Sequence, residues 1–196
     1  LGSQTRGISP YELAGAYMML GNGGEFTTLH CYTSVRTGEG REILAPRLET
    51  RRVISADTAY IMNRLLAGVM QGGGTASGYR VSGEMDSVGK TGTSSDNRDY
   101  WFVGMTPYTV TACWYGYDSG FALNTPGGTH APTAAWKYVT ERAQQGLPAL
   151  EFPVDESVVT AEYCMQSGGL AGAGCPRATG YYRVGHLPDP CADHAA

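Results

Sequence analysis

The 196 residues are 42% hydrophobic, enough for one domain with a core of its own and too apolar for a disordered chain. Fourteen basic residues against eighteen acidic ones leave a net charge of −4 with no basic run, which argues against nucleic acid as a partner. No window nears the roughly 20 consecutive apolar residues that span a bilayer, and no charged-then-apolar leader opens the chain.

The chain starts at Leu1 in what reads as mid-domain sequence, so a longer parent carrying any anchor or export signal upstream is the expectation. Abundant glycine (28) and tyrosine (13) with only 16% charged residues suit a β-rich, loop-rich domain outside the cytoplasm.

In chain order, Ser9-Pro10-Tyr11-Glu12 carries a helix start: a capping serine, proline in the first turn, and a glutamate three residues after the cap. Leu13, Ala16, Tyr17 and Leu20 follow at helical spacing until Gly21-Asn22-Gly23-Gly24. Residues 30–36 and 42–45 around Gly38-Glu39-Gly40 predict a hairpin. Ser55-Ala56-Asp57-Thr58 begins a second helix, expected to run to Met70 and stop at Gly72-Gly73-Gly74. Segments 87–93, 100–106 and 109–117 predict three consecutive antiparallel strands, the last two joined through Thr106-Pro107-Tyr108. The stretch from Gly127 to Pro132 separates them from a final helix over 133–145. From Ala149 the composition turns to Gly, Pro and Cys, which predicts a main portion over 1–148 and a C-terminal appendage over 149–196.

The segment richest in chemistry is Val88-Gly89-Lys90-Thr91-Gly92-Thr93. Lys90 brings a positive charge to a sparsely charged sheet, where it stabilises an anion and shifts the proton affinity of its neighbours. Gly92 offers no side chain, so an extended peptide can lie close against the strand edge. Thr91 and Thr93 share one face by the two-residue period. Gly89-Lys90-Thr91 is no phosphate-binding loop, because the upstream position that requires glycine is Glu84.

Together with residues 99–107 and Trp114-Tyr115-Gly116-Tyr117-Asp118, this string resembles the Lys-Thr-Gly strand of serine penicillin-recognising enzymes and the two strands after it. Leu1-Gly2-Ser3-Gln4 with residues 9–14 and Ala16-Tyr17 resembles the segment between the second and third active-site motifs of class A penicillin-binding proteins. The tail, with Cys164, Ser167-Gly168, Cys175-Pro176 and Cys191, resembles the extension of many Gram-positive members. The resemblance implies an α/β fold of the α+β type, with an antiparallel sheet and helices on its faces, present in part. It implies a D,D-transpeptidase that cross-links peptidoglycan, with D-Ala-D-Ala stem peptides and β-lactams as ligands and no cofactor. The parent would be anchored at the extracytoplasmic face of the bacterial cell membrane. Lys90 would orient the proton network, the hydroxyls of Thr91 and Thr93 would bind the substrate carboxylate beside Gly92, and the Thr93 N–H would serve the oxyanion hole.

The family's nucleophilic Ser-x-x-Lys and its Ser-x-Asn belong upstream of Leu1, in a missing half of the domain, so the isolated chain is expected to be inactive. Two strings imitate them. Ser87-Val88-Gly89-Lys90 lies on a predicted strand rather than a helix, and Ser95-Asp96-Asn97 follows the lysine in what reads as a turn. A non-catalytic peptidoglycan- or partner-binding module is the alternative reading, and a carboxypeptidase or β-lactamase a lesser one.

Of five cysteines, Cys113 sits in an apolar run and reads as a buried structural thiol. Cys164, Cys175 and Cys191 are open to two readings: a disulfide between two of them, favoured in an oxidising exterior, or a zinc site completed by His194. No metal is assigned on the sequence, and His30, His130 and His186 read as surface or loop residues.

Overall fold

The structure is a computed structural model that describes residues 7–124 and 130–194; Leu1 to Gln4 and most of the stretch before the last helix lie outside them. Among the described residues three α-helices, α1 (Pro10–Gly21), α2 (Ala56–Ala67) and α3 (Ala131–Ala143), surround a three-stranded antiparallel sheet. Its strands are β5 (Val88–Thr93), β6 (Asp99–Met105) and β7 (Val110–Gly116), in that spatial order. Four shorter strands precede it: β1 (Glu25–Thr27) pairs with β4 (Thr50–Arg52), and β2 (Val35–Arg36) with β3 (Glu42–Leu44). After α3, β8 (Val158–Cys164) pairs antiparallel with β9 (Arg177–Arg183).

The start of α1 follows from its sequence. Ser9 Oγ accepts the Glu12 N–H at 3.2 Å while Glu12 accepts the Ser9 N–H at 2.9 Å, a complete capping box. Its far end is held from α2, where buried Asn63 donates Nδ2–H to the Leu20 carbonyl at 2.9 Å. The predicted second helix has α-helical geometry to Ala67 and tightens into a 3-10 turn over Gly68–Met70.

The sheet separates two apolar layers. Val88 and Met105 pack on one face with Leu20 of α1 and Leu66 of α2. On the other face, Phe102 meets Trp136 of α3 edge-on, with ring centroids 5.2 Å apart. That contact is possible because β5 and β6 carry paired glycines where the rings lie. A Cβ on Gly104 would stand 2.3 Å from the Trp136 ring, and one on Gly89 would stand 2.5 Å from Phe102. The β6–β7 turn is tied to the end of α3, since Gln144 Nε2 donates to Thr106 Oγ1 (2.7 Å) and Thr109 Oγ1 (2.6 Å).

The segment after α3 returns to this body. Phe152 is buried in the same layer as Leu20 and Val88, and its N–H donates to the Asp86 carboxylate at 3.0 Å. Further on, Arg183 of β9 reaches the start of α2, where it pairs with Asp57 and donates to Ser55 Oγ and Thr58 Oγ1. The β8–β9 pairing is the main element that the sequence reading lacked. Its strands are joined by residues 165–176, far longer than the two-residue turns that make a hairpin legible.

Trp136→Ala should lose about 3–5 kcal/mol of stability, whereas Val139→Ala on the exposed side of α3 should stay within about 0.5 kcal/mol; urea unfolding measures both. The Ser55 hydroxyl first, then the Thr58 N–H and Arg183, hold the Asp57 carboxyl below the usual carboxylate range. A carboxyl depressed in the folded state adds stability that is complete above its ordinary value and lost as pH falls through the depressed one. A carbon-13 titration of Asp57 should therefore show a low midpoint that Ser55→Ala raises more than Arg183→Ala does.

Candidate active site

The sequence-predicted site residues all lie on β5, an edge strand whose only partner among the described residues is β6. Register decides which way each peptide group points. The Ser94 N–H donates to the Asp99 carbonyl at 3.0 Å, so this pair is hydrogen-bonded, and alternation makes Gly92–Trp101 and Lys90–Val103 the next bonded pairs. Lys90 and Gly92 thus spend their N–H and C=O groups on β6. Thr91 and Thr93 turn theirs to the open edge.

Side chains alternate as well. Lys90 shares a face with Val103 and Trp101, and these residues line an open cavity of about 1050 Å³ with Leu13 and Tyr17 of α1 and with Trp114. Lys90 is exposed there, and its Nζ donates to the Thr91 carbonyl at 2.8 Å. Thr91 points to the opposite face, its Oγ1 2.9 Å from Thr75 Oγ1, while Thr93 is exposed at the strand end. Gly92 lies across from Trp101, and a Cβ there would approach the Trp101 Cβ to 3.1 Å, so its bareness serves the cross-strand tryptophan as well as the cavity.

The rim beyond Thr93 is built by Asp99. One carboxylate oxygen accepts the Trp114 indole N–H at 2.8 Å and the other accepts the Ser94 hydroxyl at 3.0 Å. The Asp99 N–H in turn donates to Ser94 Oγ at 2.8 Å. The loop so fastened holds Asp96 and Asn97 at φ 61° and 53°, the left-handed region that Asp and Asn tolerate best. Neither Asp99 nor Ser94 was singled out as a site builder; the signal was Asp99 standing at the head of β6, opposite Ser94.

Comparison with known proteins bears on the whole of this arrangement. The family described as "Penicillin binding protein transpeptidase domain" matches residues 2–116, more than half of the chain. The chain belongs to that family. Penicillin-binding protein 1A of Clostridium botulinum (strain Langeland / NCTC 10281 / Type F) is 36% identical over 172 residues, 87% of this chain. Penicillin-binding protein 1F of Bacillus subtilis (strain 168) is 31% identical over 186 residues. The chain spans 20% of the first relative's length and 26% of the second's. Among solved structures, penicillin-binding protein 1A from Haemophilus influenzae shares the fold with a TM-score of 0.79 over 94% of this chain and 33% of its own, at 19% identity. PonA1 from Mycobacterium tuberculosis matches with a TM-score of 0.63 at 25% identity, covering 72% of this chain and 40% of its own. Penicillin-binding protein A from M. tuberculosis, solved as an imipenem acyl-enzyme complex, matches with a TM-score of 0.58 at 20% identity, over 74% of this chain and 33% of its own.

Of the two strings that imitate the transpeptidase family's other motifs, one is buried away from Lys90 and the other builds the cavity rim. Ser87 is buried, donating to the Met85 carbonyl and accepting the Val81 N–H, and three residues along a strand put it on the opposite face from Lys90. Ser95-Asp96-Asn97 forms the 3-10 turn of the rim. Cys113 is half-buried and its burial pushes the thiol pKa up, the behaviour of an inert packing residue; Cys31 is exposed. The disulfide favoured for the tail is not formed: Cys164, Cys175 and Cys191 are free thiols, because three sulfurs and His194 converge on one centre instead of two sulfurs pairing. His30 and His186 are exposed, and His130 stacks on Tyr79.

Asp99→Ala should remove roughly 1 kcal/mol of local stability, given the exposure of its partner Trp114. Amide exchange at residues 94–98 should quicken severalfold while α2 is unchanged, which hydrogen exchange read by mass spectrometry resolves.

Proposed function

We propose that this chain supplies the Lys-Thr-Gly edge of a peptidoglycan D,D-transpeptidase site, whose serine nucleophile and second motif lie on residues outside it. The supporting observation is the open edge of β5, where the peptide groups of Thr91 and Thr93 face outward next to the Lys90 ammonium and an open cavity. An extended D-Ala-D-Ala peptide, or a β-lactam in its place, lies along such an edge as an added strand. The Thr93 N–H polarises the carbonyl under attack, the threonine hydroxyls bind the terminal carboxylate, and Lys90 orients the proton network of the site. Acyl transfer then passes through an ester on the serine to a neighbouring amine.

Among the described residues no helix is long and apolar enough to cross a membrane. The parent's anchor and its extracytoplasmic placement are part of the same proposal, as is the division at residue 148.

The test is labelling with a fluorescent penicillin. The 196-residue chain should not label, whereas the chain extended upstream through its adjoining coding sequence should, and Lys90→Ala in the longer protein should slow labelling by roughly 10²–10⁴-fold. Failure of the folded longer protein to label would sink the reading and favour a non-catalytic peptidoglycan- or partner-binding module. Covalent labelling of the short chain would place the nucleophile within it.

A further inference from the structure

Residues 164–194 have an unusual interior. The buried cluster there consists of Cys164, Cys175 and Cys191, with Ala171 packed against it and no large apolar side chain. Units below about 40 residues with so small a core usually depend on a disulfide, a metal or a neighbour, and here the neighbour is α2, reached by β9 at the end of the pair away from the cysteines. The ligand atoms of these three cysteines and of His194 all lie within 4.8 Å of one another.

We propose that Cys164, Cys175, Cys191 and His194 bind one Zn²⁺ tetrahedrally, as a closed structural site that fastens the C-terminal segment onto the β8–β9 pair. The distances fit. Zn–S bonds near 2.3 Å and Zn–N bonds near 2.0–2.1 Å set the S···N edge of a tetrahedron at about 3.6 Å. His194 Nδ1 stands 3.5 Å from Cys164 Sγ and 3.3 Å from Cys191 Sγ. The donor set of thiolates and imidazole suits zinc, and four protein ligands leave no open position, which makes the site structural rather than catalytic.

The surrounding chain is arranged to present these ligands. Cys164 ends β8 and Cys175 stands just before β9, so the antiparallel register brings them to one end of the pair. The last segment is stitched alongside by Leu170 N–H to the Asp189 carbonyl (2.9 Å) and Cys191 N–H to the Leu170 carbonyl (2.8 Å). Cys191 and His194 then sit one turn apart. The Ser167 hydroxyl donates to Cys191 Sγ at 3.1 Å and the Gly172 N–H to Cys175 Sγ at 3.3 Å, donors that offset thiolate charge. On binding, the three thiols release their protons to solvent and the three thiolates with Zn²⁺ carry one net negative charge. A disulfide would use two sulfurs and leave the third, with His194, without a role.

The experiment is metal analysis of the full 196-residue chain after reduction, exposure to Zn²⁺ and exhaustive dialysis, followed by replacement with Co²⁺. About one Zn²⁺ per chain should remain, and the Co²⁺ form should show the strong visible bands of a tetrahedral ion with thiolate charge transfer in the near ultraviolet. Cys191→Ser and His194→Ala should each abolish retention through dialysis, while Cys31→Ser, with an exposed thiol elsewhere, should keep it. Near-ultraviolet circular dichroism of the tryptophans around the central sheet reports that each variant is folded. Substoichiometric zinc in the folded, reduced chain would overturn the proposal. So would a weak octahedral Co²⁺ spectrum, or retention unaffected by His194→Ala.

Discussion

The tryptophan of α3 can lie against the central sheet only because two facing strands are bare where it lands. Gly104 and Gly89 are register partners, and Phe102 and Trp136 occupy the space their side chains would fill. Buried aromatic area is among the largest contributions a single residue makes to a core, so this contact fixes the height of α3 over the sheet. Through Gln144 it also fixes the β6–β7 turn. The opposite layer, from Leu20 and Leu66 to Phe152, then closes on a sheet whose position is already set.

That geometry determines what the edge strand can present. With β6 pinned by both layers, β5 is held along one side alone, and its other side stays available. Lys90 stands over the α1 side, where the described chain leaves a cavity, and the rim beyond Thr93 is kept in shape by the Asp99 carboxylate between Ser94 and Trp114. Recognition of an extended ligand, as proposed, rests on backbone groups whose orientation follows from register, assisted by one cation.

Much of this could be read from residues. Ser9 and Glu12 announced α1, and the three strands of the sheet were expected within a residue of where they lie, because their apolar runs are bounded by turn chemistry at Thr106-Pro107-Tyr108. Less legible were β1 and β4, three residues each and joined across residues 28–49, where no local pattern encodes the pairing. The same holds for β8 and β9. Lys90 to Thr93 stand out as candidates by their motif, but the sequence period places both threonines on one face without showing that Thr91 engages Thr75. Asp99 was missed because a lone acidic residue at a strand start has many innocent explanations. The cysteines and His194 are legible as a candidate set, but the choice between a disulfide and a four-ligand site needs the fold of residues 164–194, which brings the four ligand atoms within 4.8 Å of one another.

The two-residue alternation along β5 has one more consequence. The outward groups at positions 91 and 93 belong to the main chain, so they are blind to the identity of the residues that carry them. Heritable variation in side chains can reshape the cavity around the edge, yet it leaves the edge's own donors and acceptors in place unless proline removes an N–H. A one-residue insertion or deletion within 88–93 does what no ordinary replacement can: it exchanges the inward and outward sets of peptide groups at a stroke. At positions 91 and 93, strand length therefore decides which peptide groups face outward, and residue identity does not.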